Sequence, residues 1–128
     1  FAKARELADW KHRVRECWPH VHAQRLDEAS DSMFRDDTFE VKVAVDLAGL
    51  SPSDITVDCL VGTLNWEGHF MRHSCFQLSN EDQQQDGKTV YSLSVTLAES
   101  GKQCYKLRVY PYHHSLGQRF ETGAMLWL

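Results

Sequence analysis

Seven histidines, four cysteines and a few adjacent carboxylates are the residues of this chain able to hold a metal or move a proton. His20 and His22 stand two apart, a spacing that on a strand puts both rings on one face. His69 and His73 flank Phe70, and His113 and His114 are neighbours. A zinc site needs three or four converging ligands, and neither an H-E-x-x-H pattern nor a paired Cys/His spacing occurs. The His-x-His pair therefore reads as two solvent-facing strand residues. No serine sits in a G-x-S-x-G elbow, and no cysteine has a convincing histidine partner in the pattern, so an activated nucleophile is not indicated. Asp36 and Asp37 fall in a loop, where paired carboxylates stay solvated. No glycine-rich phosphate cradle is present. The sequence thus assigns no catalytic, no cofactor-binding and no metal-binding residue. Trp66, Tyr110 and Tyr112 could stack on sugar rings, but large rings in such settings serve more often in a core or an interface.

The elements that would position these residues change period along the chain. Leu7, Trp10, Val14, Cys17 and Trp18 recur at three- and four-residue steps, which predicts an amphipathic helix over 2–18, ended by Pro19. Its two tryptophans must pack on this domain, on another, or on both. From His20 the period becomes 2, with a short strand over 20–26 and an acidic loop over 27–37. Phe39, Val41, Val43 and Val45 alternate with polar residues and predict a half-buried strand. Ser51-x-x-Asp54 with Pro52 fits one capped helical turn. Ile55 to Val61, Phe70 to Leu78, Tyr91 to Leu97 and Tyr105 to Val109 predict further strands, with Pro111 closing the last. Asn80 to Gly87, with its three glutamines, reads as a polar hairpin loop, and Glu99 to Lys102 as a turn. Six to seven short strands with one polar face each predict a mainly β chain: an antiparallel immunoglobulin-like β-sandwich preceded by one amphipathic N-terminal helix. The division is residues 1–19 for the helix, a junction to a region upstream, and 20–128 for the sandwich.

With 128 residues, 42% hydrophobic and 25% charged, the chain fits one globular domain. A net charge of −4 argues against nucleic acid as a partner. Lys3, Arg5, Lys11, Arg13 and Arg15 gather in the first helix, but Glu6, Asp9 and Glu16 are interspersed, as on a solvated face. No run is long and apolar enough to span a membrane, and no signal peptide is visible. Cys17, Cys59, Cys75 and Cys104 form no C-x-x-C pair and read as free thiols of a reducing, cytoplasmic setting, a cross-strand disulfide being left open. The start at Phe1, almost inside a helix, reads as a boundary cut in a longer protein, a processed terminus being the alternative.

Four segments carry a resemblance. Leu7-Ala8-Asp9-Trp10-Lys11-His12-Arg13-Val14-Arg15-Glu16-Cys17-Trp18-Pro19-His20-Val21 is similar to the segment closing the catalytic part of the bacterial and archaeal-type α-glucan (glycogen/maltodextrin) phosphorylases. Tyr105 to His113 and Glu121 to Trp127 resemble that family's C-terminal ending, and Val45 to Val57 lies between them in the expected order. His114 stands where the family pattern has proline, and Thr122 where it has methionine, which bears on local turns. The resemblance implies a parent enzyme that transfers a glucosyl unit from an α-1,4-glucan to phosphate, releasing glucose 1-phosphate, with pyridoxal phosphate as a lysine Schiff base. Nothing here matches the motif around that lysine, so the cofactor is implied for the parent and none for this segment. The implied partners are the catalytic domains of the parent chain, α-glucan and a second copy. The implied role is non-catalytic: packing between domains, or an accessory hold on glucan.

Asp37 to Ile55 also resembles the core of an α-crystallin, or small heat-shock, domain, although a short Ile-x-Ile/Val tail motif is missing. A stand-alone carbohydrate-binding or adhesion-like sandwich is the other alternative.

Overall fold

The apolar stripe of the first segment forms the helix it predicts, α1 (Ala2–Cys17). The structure, a computed structural model, describes residues 2–26, 36–85, 87–97 and 102–128. Trp10 and Val14 are buried, and Leu7, Cys17 and Trp18 pack against the same core. A short 3-10 turn, Trp18–His20, follows at Pro19, closed by the Val21 N–H on the Trp18 carbonyl at 3.0 Å. The helix is thus no appendage: its stripe is part of the sandwich core.

Eight strands follow among the described residues: β1 (His22–Arg25), β2 (Thr38–Asp46), β3 (Ile55–Leu64), β4 (Phe70–Gln77), β5 (Ser79–Gln85), β6 (Lys88–Thr96), β7 (Cys104–Pro111) and β8 (Leu126–Trp127). They form two four-stranded antiparallel sheets, ordered β1-β2-β6-β5 and β4-β3-β7-β8. Between the sheets lie Val41, Val43 and Val45 of β2, Val57, Cys59 and Val61 of β3, and Leu107 and Val109 of β7, all without solvent exposure. Each such apolar side chain contributes about 1.5–3 kcal/mol by its burial.

The structure corrects several expectations. Asn80 to Gln85, expected in a hairpin loop, belong to the strand Ser79–Gln85. β4 and β5 form nearly one continuous segment that changes sheets at Leu78. That residue is buried, and its N–H donates to the Val57 carbonyl at 2.8 Å. β5 lies at a sheet edge, paired with β6 among the described residues, and edge strands tolerate charged and polar side chains. Pro111 is the last residue of β7, as expected, and lies opposite Ile55. The apolar tail supplies β8, which pairs Trp127 with Arg108 and Leu126 with Val109. His20 lies in the 3-10 turn and not on a strand with His22. Most of the acidic loop (27–35) and the 98–101 part of the Glu99 turn lie outside the described residues.

Register fixes two poles. At one, α1 sits over the 46–54 connection and the residues after β7, where Cys17 Sγ is 3.8 Å from the position a Gly49 Cβ would take. At the other, β3 and β4 run on into a hairpin. Gly62 marks the bulge that starts it: a Cβ there would lie 2.2 Å from the Met71 carbonyl oxygen, so no other residue fits without moving the partner strand.

Candidate functional site

The α1 pole gathers several polar side chains. Asp54 closes the 3-10 turn Pro52–Asp54, its Oδ2 accepting the Ser51 N–H at 2.8 Å, as the Ser51-x-x-Asp54 spacing predicts. The same carboxylate also reaches the helix. Its Oδ1 accepts the Trp10 indole N–H at 3.0 Å, and Arg13 Nη2 lies 3.5 Å from Oδ2. The His113 ring packs against Trp10, with centroids 5.2 Å apart. Arg5, Asp9, Trp10, Arg13, Asp54 and His113 line an open cavity of about 710 Å³. Acids and bases alternate around it, so it favours neither anion nor cation. Asp54, buried and engaged by three donors, is an anchor and not a free base. Lys11 and Glu121, 2.6 Å apart, add a partly exposed clasp between α1 and the tail.

A second polar cluster lies on the outer face of the other sheet. Arg108 Nε and Nη2 each stand 3.0 Å from Asp58 Oδ2, with both residues buried. The guanidinium lies 4.8 Å from the Phe120 ring centroid and 5.4 Å from that of Tyr110. Tyr110 in turn meets Phe120 edge to face at 5.0 Å. The segment after β7 thus folds back over the sheet and shields the ion pair from water. Sequence reading did not single out this pair. Asp58 and Arg108 were two polar positions in alternating strands, and only their cross-strand register brings them together.

Burial, and after it the Asp58 carboxylate, pushes the Tyr110 hydroxyl up to about 12. Tyr91 moves the same way, through burial first and Asp54 second, and its hydroxyl donates to the Pro52 carbonyl at 2.9 Å. A phenol raised above its unfolded value of about 10 stabilises the fold fully below that pH. The contribution is lost as pH rises through the folded value. Alkaline unfolding should therefore steepen from the model-peptide value of 10 to about 12. Tyr110→Phe should weaken that dependence, as read by circular dichroism against pH, and an unchanged slope would contradict the assignment.

The residues singled out from sequence are dispersed. His20 and His22 are exposed, and His69 stands 3.4 Å from Glu67 at a hairpin tip. The His73 side chain is outside the described set. His113 and His114 stack at 4.4 Å, and His113 Nδ1 accepts the Ser115 N–H at 3.0 Å. Asp36 and Asp37 are exposed. Among the described residues, no group of three or more His, Cys, Asp or Glu side chains is placed to hold a metal. None of the four cysteines forms a disulfide among the described residues, with Cys59 buried and Cys75 exposed. Of the three aromatics, Tyr110 is core, Tyr112 is partly exposed, and Trp66 is almost wholly in solvent. No described helix is long and apolar enough to cross a membrane.

Residues 18–128 match the family described as the glycogen phosphorylase C-terminal domain. A glycogen phosphorylase of Mycobacterium tuberculosis is 29% identical over 127 residues, covering 98% of this chain and 15% of that protein. A maltodextrin phosphorylase of Thermococcus litoralis is 30% identical over 131 residues, covering 99% of this chain and 15% of that protein. The chain therefore spans about 15% of the length of the curated relatives it matches. No solved structure matches. These matches favour neither the α-crystallin resemblance nor a stand-alone carbohydrate-binding sandwich.

Proposed function

Because the chain belongs to the glycogen phosphorylase C-terminal domain family, we propose that it is the non-catalytic packing module of an α-glucan phosphorylase. The parent would transfer glucosyl units from α-1,4-glucan to phosphate in the cytoplasm. The observation that carries the packing role is the use made of the buried carboxylates. Asp54 holds Trp10, Arg13 and Ser51, and Asp58 holds Arg108. The charged groups with enough burial for chemistry instead tie α1 and the tail to the sandwich. The module then presents a fixed body to the rest of the polypeptide.

The residues here do not suit pyridoxal phosphate. A Schiff-base lysine needs a desolvated pocket beside a phosphate cradle. Every described lysine keeps contact with solvent, and Lys11 is paired with Glu121.

A glucan-binding accessory role has one observation in its favour. Tyr112, His113 and His114 line an open cavity of about 330 Å³ with Ser53 and Asp54, a mix of rings and polar groups that can meet a sugar. Electrophoresis of this chain through a glycogen-containing gel separates the two readings. Under the packing role its mobility matches that in a plain gel. Retardation abolished by Tyr112→Ala would replace packing with glucan binding.

A further inference from the structure

Trp66 is 92% exposed, at the pole opposite α1. Its turn is well built. Asn65 Oδ1 accepts the N–H groups of Glu67 and His69, both at 2.9 Å. The Asn65 N–H donates to the His69 carbonyl at 2.8 Å, and the Gly68 N–H to the Asn65 carbonyl at 2.9 Å. Gly68 has φ +83°, the left-handed region that glycine enters without strain. Leu64 and Met71, 55% and 53% exposed, stand on the two strands leading into and out of the turn. Leu64 pairs with Phe70 and Met71 with Thr63, so alternation sends the two side chains to opposite faces of the hairpin. The result is a rigid tip with an indole at its apex and an aliphatic side chain on either flank. A pre-organised aromatic of this kind loses little entropy on docking, which is the property of an interface anchor.

We propose that the Trp66 tip is an anchor that inserts into an apolar pocket on the part of the full-length polypeptide outside this chain. The proposal rests on the packing role above and names the surface through which packing occurs. Two observations select this occupant. The matched relatives carry the region aligned here as only 15% of their length, so they have a large body for the tip to meet. The tip itself is small: three side chains fall well short of the roughly 800 Å² per partner of a stable interface between free molecules. A covalently joined body needs far less contact, because its effective concentration is about millimolar. A second copy of the chain has no such advantage. A sugar needs hydrogen-bonding groups around the ring, whereas the flanks here are Leu64 and Met71.

Hydroxyl-radical footprinting read by mass spectrometry tests this on the full-length protein and on the 128-residue chain. In the chain alone, Trp66 should be oxidised faster than Trp10, Trp18 and Trp127. In the full-length protein its oxidation should slow roughly tenfold, as for a side chain moved from solvent into a close-packed pocket. Equal Trp66 rates in both, with other surface residues of the sandwich protected, would overturn the anchor and leave the packing role standing. Protection nowhere on the sandwich would overturn both. Protection in the isolated chain that grows with its concentration would assign the tip to a second copy. Protection there on adding maltoheptaose would assign it to glucan. Either result overturns the proposal.

Discussion

Asp58→Ala should destabilise the chain by about 3–5 kcal/mol, because it leaves the Arg108 guanidinium buried without its counter-charge. Asp58 is 1% and Arg108 7% exposed, so water cannot take over the missing contacts without displacing the tail. Phe120 covers the guanidinium, and opening that cover would loosen the segment that carries the chain from β7 to β8. Against a total stability of about 5–15 kcal/mol for a domain of this kind, such a loss leaves a marginal fold. Replacing both partners with apolar residues, Asp58→Leu with Arg108→Met, should be far milder, because no charge is then stranded. Urea denaturation of the single and double variants measures the coupling. A single-variant loss below about 1 kcal/mol would mean that the pair behaves as an exposed one.

Trp10→Ala should also remove about 3–5 kcal/mol, the usual range for truncating a buried large aromatic. The indole is 3% exposed and joins a core that reaches Val21, Leu50 and Val43. Trp10→Phe should lose less, about 1 kcal/mol, since the ring volume is mostly kept and one hydrogen bond is lost. Asp54 would then still hold Arg13 and Ser51. The matched family region begins at Trp18, after the whole of α1. A chain cut at that boundary should therefore be less stable than the full 128 residues, although the sandwich strands are all retained. Equal denaturation midpoints for the two lengths would show that α1 contributes nothing to the fold.

How far the sequence revealed these features depended on distance along the chain. β2 and β6 were legible because one face of each is buried, and Val41, Val43 and Val45 repeat at two-residue steps. β5 was not, because an edge strand can be polar on both faces. β8 was not, because two residues carry no period. Helix α1 was clear from its stripe, but not where the stripe would dock. The docking depends on Asp54, whose capping spacing was readable and whose bond to Trp10 spans 44 positions. The expectation that the tryptophans of the helix need a neighbour was met within the chain itself for Trp10. Trp66 was the reverse case. Its ring, expected in a core or interface, takes no part in the core of this chain, and the glycines at 62 and 68 were the local sign of a turn that presents it. The Asp58–Arg108 pair left no local sign, because its burial comes from a tail folded over from beyond residue 111.

The proposed packing role makes this domain a brace for a larger enzyme that does not itself handle substrate. The direct measurement compares the full-length protein with a form lacking residues 2–128, following phosphorolysis of maltoheptaose before and after heating. The bracing role predicts faster heat inactivation of the shortened form, with KM for the glucan unchanged in whatever activity it retains. A shortened form that resists heat as well as the full-length protein, but whose KM for the glucan has risen, would contradict it.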